Sequence, residues 1–133
     1  MKYMLDTNIC IYAMKRKPNI VFKRMTENVS AGLCISAITL AELEHGINKS
    51  VNKKKNRQTL NNFLEVIEIL PFDMSAATEY GKICAYLQSQ GTPIGPLDML
   101  IAAHALAESL TIVTNNVKEF ERVPGLIIEN WSE

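Results

Sequence analysis

The 133-residue chain contains no C-x-x-C pair, no histidine-rich zinc pattern, no P-loop and no Gly-x-Gly-x-x-Gly turn. These absences exclude structural zinc sites, dithiol redox chemistry and the common phosphate-cradling loops. Cysteine is scarce: Cys10, Cys34 and Cys84 are odd in number, widely spaced and each set in an apolar neighbourhood. They read as reduced core thiols and not as a disulfide framework. A cysteine nucleophile paired with His45 or His104 is the competing reading, although core packing already accounts for all three. No apolar run approaches the roughly 18 residues that span a bilayer, and Asp6 interrupts the first apolar stretch almost at once. Neither a membrane segment nor a signal-peptide pattern is therefore expected, and the expected compartment is the cytoplasm.

Net charge is missing too, with 14 basic and 14 acidic side chains. A balanced total argues against nucleic-acid binding, but the charges are unevenly distributed. Residues 1 to 60 hold eleven Lys or Arg against four Asp or Glu, whereas residues 61 to 133 hold three against ten. That asymmetry allows a positive surface on a neutral protein. Complementary faces within one domain, or charge serving solubility, would give the same count.

The composition, 47% hydrophobic and 21% charged, is that of a globular chain, and its length suits one domain over residues 1–133. Tyr3 to Asp6 reads as a short buried strand that runs straight into the helix-compatible Ile9 to Met14. Pro18 suits the first turn of a second helix reaching about Asn28, with Ile20, Val21, Phe22 and Met25 as its apolar face. Leu33 to Ser36 is the second strand, followed by a helix with Ile38, Leu40, Ala41, Leu43 and Ile47 inward. The basic block from Lys49 to Arg57 is expected to join two helices of a hairpin or arm, and Ile67 to Leu70 leads into a strand stopped by Pro71. Met74 to Gln90 forms a further helix with Ala77, Tyr80, Ile83, Cys84 and Leu87 on one side, in which close packing would explain Gly81. Pro96 opens an apolar helix, Thr111 to Thr114 is a buried strand, Val117 to Phe120 a helical turn and Leu126 to Glu129 the last strand. Trp131 is expected to pin the terminus by packing. Short apolar strands alternating with helices give an α/β fold, a parallel sheet of four or five strands covered on both faces.

Four polar residues fall at strand ends or helix starts. Asp6 follows the first strand, Glu42 lies about one and a half helical turns beyond the second, Asp98 sits in the first turn after a Gly-Pro loop, and Asn116 follows the Thr111 strand. Each has a local explanation: Asp6 as an N-cap, Glu42 as a surface residue, Asp98 as a complement to the helix dipole. His104, inside an alanine and leucine surface, reads as a packed structural histidine. Lys15, Arg16, Lys17, Lys23 and Arg24 are a candidate phosphate-attracting rim near Asp6, or a solvated helical end. If Asp6, Glu42, Asp98 and Asn116 converge at one end of the sheet, where open α/β sheets bind ligands, three carboxylates repel one another unless protonated or neutralised. Mg²⁺, with Mn²⁺ as a substitute, supplies that charge, and metal-assisted phosphodiester hydrolysis is the matching chemistry.

Met4-Leu5-Asp6-Thr7-Asn8, Ser36 to Leu43, Gly95-Pro96-Leu97-Asp98 and Thr114-Asn115-Asn116 with Phe120 resemble, in order and spacing, the PIN-domain ribonucleases, specifically the VapC-type toxins of toxin–antitoxin modules. The resemblance implies a PIN-like fold and an endoribonuclease with Asp6 and Asp98 as metal ligands. Glu42 would complete the acidic site, and Thr114 and Asn116 would mark the strand end where many relatives present a fourth acid. Asn116 departs from that pattern, because an amide brings no negative charge and cannot act as a general base. The resemblance further implies RNA as substrate, especially tRNA and in some relatives the anticodon loop of initiator tRNA. A cognate antitoxin would inhibit the enzyme, with the Lys49 to Ile69 arm as a candidate contact, and a homodimer is expected. A catalytically silent PIN-like binding module and a DNA-directed nuclease remain the alternatives at this point.

Overall fold

A computed structural model describes all 133 residues, Met1–Glu133. Five strands, β1 (Tyr3–Leu5), β2 (Leu33–Ser36), β3 (Glu68–Leu70), β4 (Thr111–Val113) and β5 (Ile128–Glu129), form one sheet in the order β3-β2-β1-β4-β5. Every neighbouring pair is parallel, with Met4 opposite both Cys34 and Ile112, and Leu5 opposite Val113. Parallel strands need crossover connections, which here are the helices α1 (Thr7–Lys15), α2 (Asn19–Glu27), α3 (Ala37–Lys49), α4 (Lys53–Leu64), α5 (Met74–Ser89), α6 (Pro96–Ala107) and the single turn α7 (Val117–Phe120).

Side chains alternate across each strand and divide the core in two. Tyr3, Leu5, Leu33, Ile35 and Val113 pack with α1 to α4 and with Trp131, which meets the Tyr3 ring edge-on at 5.1 Å. Met4, Cys34 and Ile112 face the other way, against α5, α6 and Phe120 of α7. Covering both faces is what an all-parallel sheet requires. The register is set at Gly32, whose carbonyl accepts from Lys2 at 3.2 Å and Tyr3 at 3.1 Å. Its φ of +94°, and the 2.7 Å that would separate a Cβ from the Met1 Cα, admit only glycine there.

The expected order of elements is observed, with local differences. β1 and β4 stop one residue early, because Asp6 turns away to cap α1 and Thr114 turns toward it. Pro18 is the N-cap of α2 and lies outside its first turn, and Ile20 is exposed. The joint between α3 and α4 falls inside the expected basic block, at residues 50–52, while Lys53, Lys54, Lys55 and Arg57 themselves lie within α4. α3 and α5 are each rotated slightly from the expected face, so Thr39 and Ala76 are buried while Ala41 and Ala77 are exposed. Gly81 packs against nothing, as a Cβ there would meet no atom within 4 Å.

Candidate active site

β1, β2 and β4 all end on the same edge of the sheet, so the residues that follow them are neighbours. β1 has β2 on one side and β4 on the other, and crevices in open parallel sheets form where successive crossovers diverge in this way. Asp6 sits at that point and is 4% exposed. Its Oδ1 accepts the Ile9 N–H at 2.9 Å as the cap of α1, and its Oδ2 accepts the Thr114 hydroxyl at 2.5 Å. Both readings of Asp6 therefore hold, since one oxygen caps the helix while the other faces β4. Burial drives its pKa up to about 6, helped by the charge of Glu42 and opposed by the bonds from Thr114 and Ile9.

Glu42 reaches the same edge from α3. The Thr7 hydroxyl donates to its Oε1 at 2.6 Å and ties it to the first turn of α1. Ser36 caps α3 by accepting the Ile38 N–H at 3.1 Å, and the Ser36 hydroxyl lies 2.7 Å from His104 Nδ1. His104 is fully buried, edge-on to Phe72, and its pKa is lowered by burial. Its charged neighbours are Glu108 and Asp73 and not the acids of the edge, so it is a packed structural residue, as expected.

Asp98 enters from α6, with Gly95 as N-cap and Pro96 at the first helical position. Its pKa is pushed up to about 7 by burial first, then by a hydrogen bond with Glu119, and then by the charges of Glu119, Asp6 and Glu42. Asn116 is also present: its Nδ2 donates to Glu119 Oε2 at 2.7 Å, and its N–H donates to Thr114 Oγ1 at 2.9 Å.

The four expected residues are thus brought to one edge, together with two the sequence reading did not single out. Glu119 is a fourth carboxylate, one helical turn beyond Asn116, and Thr7 orients Glu42. The signal for Glu119 was the Asn116-x-x-Glu119 spacing, which puts both residues on one face of a short helix. The acidic complement that Asn116 lacks is supplied by its own hydrogen-bond partner.

The donor set is all oxygen, the kind that hard divalent cations select. Burial first, and the like charges beside them next, push Asp6 up to about 6 and Asp98 up to about 7, and a cation would relieve that crowding. As they stand, no three acids converge tightly enough to enclose an ion. The chemistry of this donor set fits a hard divalent cation, which Asp6, Glu42, Asp98 and Glu119 would hold.

Cysteine chemistry is not supported. Cys10 is fully buried and its thiol is raised well above the ordinary range, first by burial and then by Asp6, while Cys34 is pushed up to about 12. His45 is exposed, whereas Cys10 and Cys34 are buried. The expected cationic rim is smaller than the sequence suggests. Arg16 stacks over the Phe22 ring at 4.1 Å and Arg24 donates to the Asn130 carbonyl at 3.1 Å, which leaves Lys15 and Lys17 lining a cavity with Glu42, and Lys23 exposed away from it.

Residues 3–126 match the PIN domain family. The chain is 46% identical over 131 residues to the tRNA(fMet)-specific endonuclease VapC of Salmonella typhimurium, covering 98% of each chain. It is 44% identical over 134 residues to ribonuclease VapC2 of Rickettsia felis, covering 100% of each. It superposes with a TM-score of 0.93 on the crystal structure of VapBC2 from Rickettsia felis bound to a DNA fragment from its promoter, at 43% identity and covering 98% of this chain and 99% of that one.

Proposed function

The chain belongs to the PIN-domain family, and we propose that it is a metal-dependent endoribonuclease that cuts tRNA, initiator tRNA in particular, as the toxin of a toxin–antitoxin pair. The observation that carries this reading is the meeting of Asp6, Glu42, Asp98 and Glu119 at one sheet edge, where Asp6 and Asp98 hold protons up to about pH 6 and 7. Relatives of the same length, aligned from end to end, are named as tRNA(fMet)-specific endonucleases and ribonucleases, and relatives of known structure are VapBC assemblies, a family whose name in a further solved structure is that of toxin–antitoxin systems.

Asp6, Glu42 and Asp98 would hold the cation, with Glu119 as the fourth acid. Mg²⁺ is the expected ion and Mn²⁺ its substitute. Bound there, such an ion makes water a better nucleophile and stabilises charge developing on a phosphate. The side chains of the edge do the rest. Thr114 fixes the Asp6 carboxylate and Thr7 fixes Glu42, so neither acid has to reorient when substrate arrives. Asn116 holds one oxygen of Glu119 and leaves the other free to share a proton with Asp98. A cation held there would compete with that proton, so metal affinity should rise with pH through about 7. The catalytic domain would span residues 1–133, act in the cytoplasm, and assemble as a homodimer with its cognate antitoxin.

The test is incubation of total tRNA with purified, antitoxin-free protein under three conditions: with Mg²⁺, with EDTA, and with Asp6→Ala in place of wild type. A DNA oligonucleotide of the same loop sequence runs in parallel. Discrete new RNA ends that need the ion and Asp6 are expected. Intact tRNA under every condition, from folded protein, would refute the reading, and cleavage of the DNA alone would redirect it.

A further inference from the structure

A cavity of about 580 Å³ does not lie over the four acids; it opens beside them between α1, α3 and α4, and Glu42 forms part of its wall. Its floor is apolar, built from Met14, Leu43, Ile47 and Leu60, and its rim carries Lys15, Lys17 and Lys55. None of the three lysines is paired: the ion pairs of the protein are Arg57 with Glu44 and Lys82 with Glu79. The first of these clamps α4 to α3, because Arg57 donates to both oxygens of Glu44, at 2.7 and 2.5 Å. Asn56 also faces the cavity, and its carboxamide makes no hydrogen bond within the protein.

Resting on the endoribonuclease reading above, we infer that this cavity is a nucleotide subsite that receives the RNA residue flanking the bond to be cut. Its volume lies within the range of small-ligand pockets. Three unpaired cations around an apolar floor suit a phosphodiester with its base turned inward, and the free Asn56 carboxamide offers both a donor and an acceptor to a base edge. Sequence-specific recognition of RNA favours single-stranded loops whose bases can be splayed out in this way. The shared Glu42 wall sets the cavity next to the cleaved bond, where the substrate chain must continue. No aromatic ring lines it, so the base is held by aliphatic contact and hydrogen bonding instead of stacking.

Gly46 gives a clean test. It lies on α3, lines the cavity, and a Cβ added there would meet nothing within 4 Å, so Gly46→Leu fills the cavity without straining the helix. The second variant is Lys15→Gln with Lys17→Gln and Lys55→Gln. Binding of tRNA in EDTA, which prevents cleavage, is followed by fluorescence anisotropy across a salt series, and KM and kcat are measured with Mg²⁺. Both variants are expected to bind tRNA at least about tenfold more weakly, with the loss in KM and not in kcat. The lysine variant also lowers the log–log salt slope by about 2, at about 0.7 per single-strand phosphate, while Gly46→Leu leaves it unchanged. The thermal midpoint of Gly46→Leu should equal or exceed that of wild type. Wild-type affinity and KM in both variants, with wild type active, would overturn the subsite. So would loss of antitoxin binding alone, which would assign the cavity to an acidic peptide. A wild type that neither binds nor cuts RNA would overturn the ribonuclease reading first and the subsite with it.

Discussion

The helical layers on the two faces of the sheet are built differently. The α1–α4 layer comes from the basic part of the chain, carries the large cavity, and leaves Lys15, Lys17 and Lys55 unpaired around it. The α5–α7 layer comes from the acidic part and is packed tightly through small residues: Ala102, Ala103 and Ala105 of α6 are fully buried around His104. The acids are divided between the two. Glu42 rides on α3 of the open layer, Asp98 and Glu119 ride on α6 and α7 of the dense one, and Asp6 stands between them at the end of β1. One layer thus holds acids rigidly against the sheet while the other leaves room beside them, which suits a centre that must fix a cation and still admit a long polymer.

The harshest way to break this arrangement is to remove an acid from either side. Asp98→Ala and Asp6→Ala should each lower the rate of RNA cleavage by at least about 10³-fold, while circular dichroism and the thermal midpoint show a retained fold. Activity near wild type in either would remove that residue from the site.

A second comparison sets the packing of the layers against each other. Ala103→Leu inserts three carbons where the dense layer has no room and should cost about 1–3 kcal/mol in denaturant unfolding. Gly46→Leu, a larger insertion in the open layer, should cost nothing. Equal losses would show that the two layers do not differ.

The pH dependence of stability probes the junction itself. Asp6 and Asp98 bind protons more tightly in the folded protein, at about 6 and about 7, than their ordinary 3.8. The stability they contribute is therefore present in full below about pH 4 and is lost as pH rises through 6 to 7. Metal-free protein should lose on the order of 1–2 kcal/mol from these two groups between pH 5 and 8, a figure reduced because Asp98 is only half buried. Asp98→Asn should flatten that decline, and Mg²⁺ at pH 8 should offset it in wild type only. An identical slope in wild type and Asp98→Asn would contradict the crowding of charge at the edge.

The smallest effect is expected at Gly81. It is exposed in the middle of α5 with open space around it, so Gly81→Ala should raise stability by about 0.5–1 kcal/mol. Destabilisation would mean that the position requires glycine for a reason the isolated chain does not show.

Much of this was legible in the sequence, and the misses have physical causes. β2 reads correctly to the residue because Ser36 is both its last member and the cap of α3. Asp6, Glu42, Asp98 and Asn116 stand out because each lies at a strand end or in the first turns of a helix, where α/β sheets gather their ligands. Glu119 does not stand out, because the strand end itself carries Asn116 and the acid sits one turn further on. The role of Thr7 is not legible in its motif, since its partner Glu42 is 35 residues away and only the fold brings them together. The inward faces of α3 and α5 were misjudged at Ala41 and Ala77, as alanine carries too little apolar area to fix a helix's rotation. Arg16 and Arg24 read either as part of a phosphate-attracting rim or as a solvated helical end, because composition cannot reveal that Phe22 and the Asn130 carbonyl already engage them.

Calorimetric titration of Mg²⁺ into metal-free wild type, Asp98→Asn and Glu119→Gln at pH 7, in buffers of different ionisation enthalpy, tests most directly whether acids from both layers close on one cation. Saturable binding with proton release in wild type, weakened at least about tenfold in each variant with the fold intact, is the expected result. Equal affinity in all three proteins, or binding without proton release, would contradict a cation site shared between the layers.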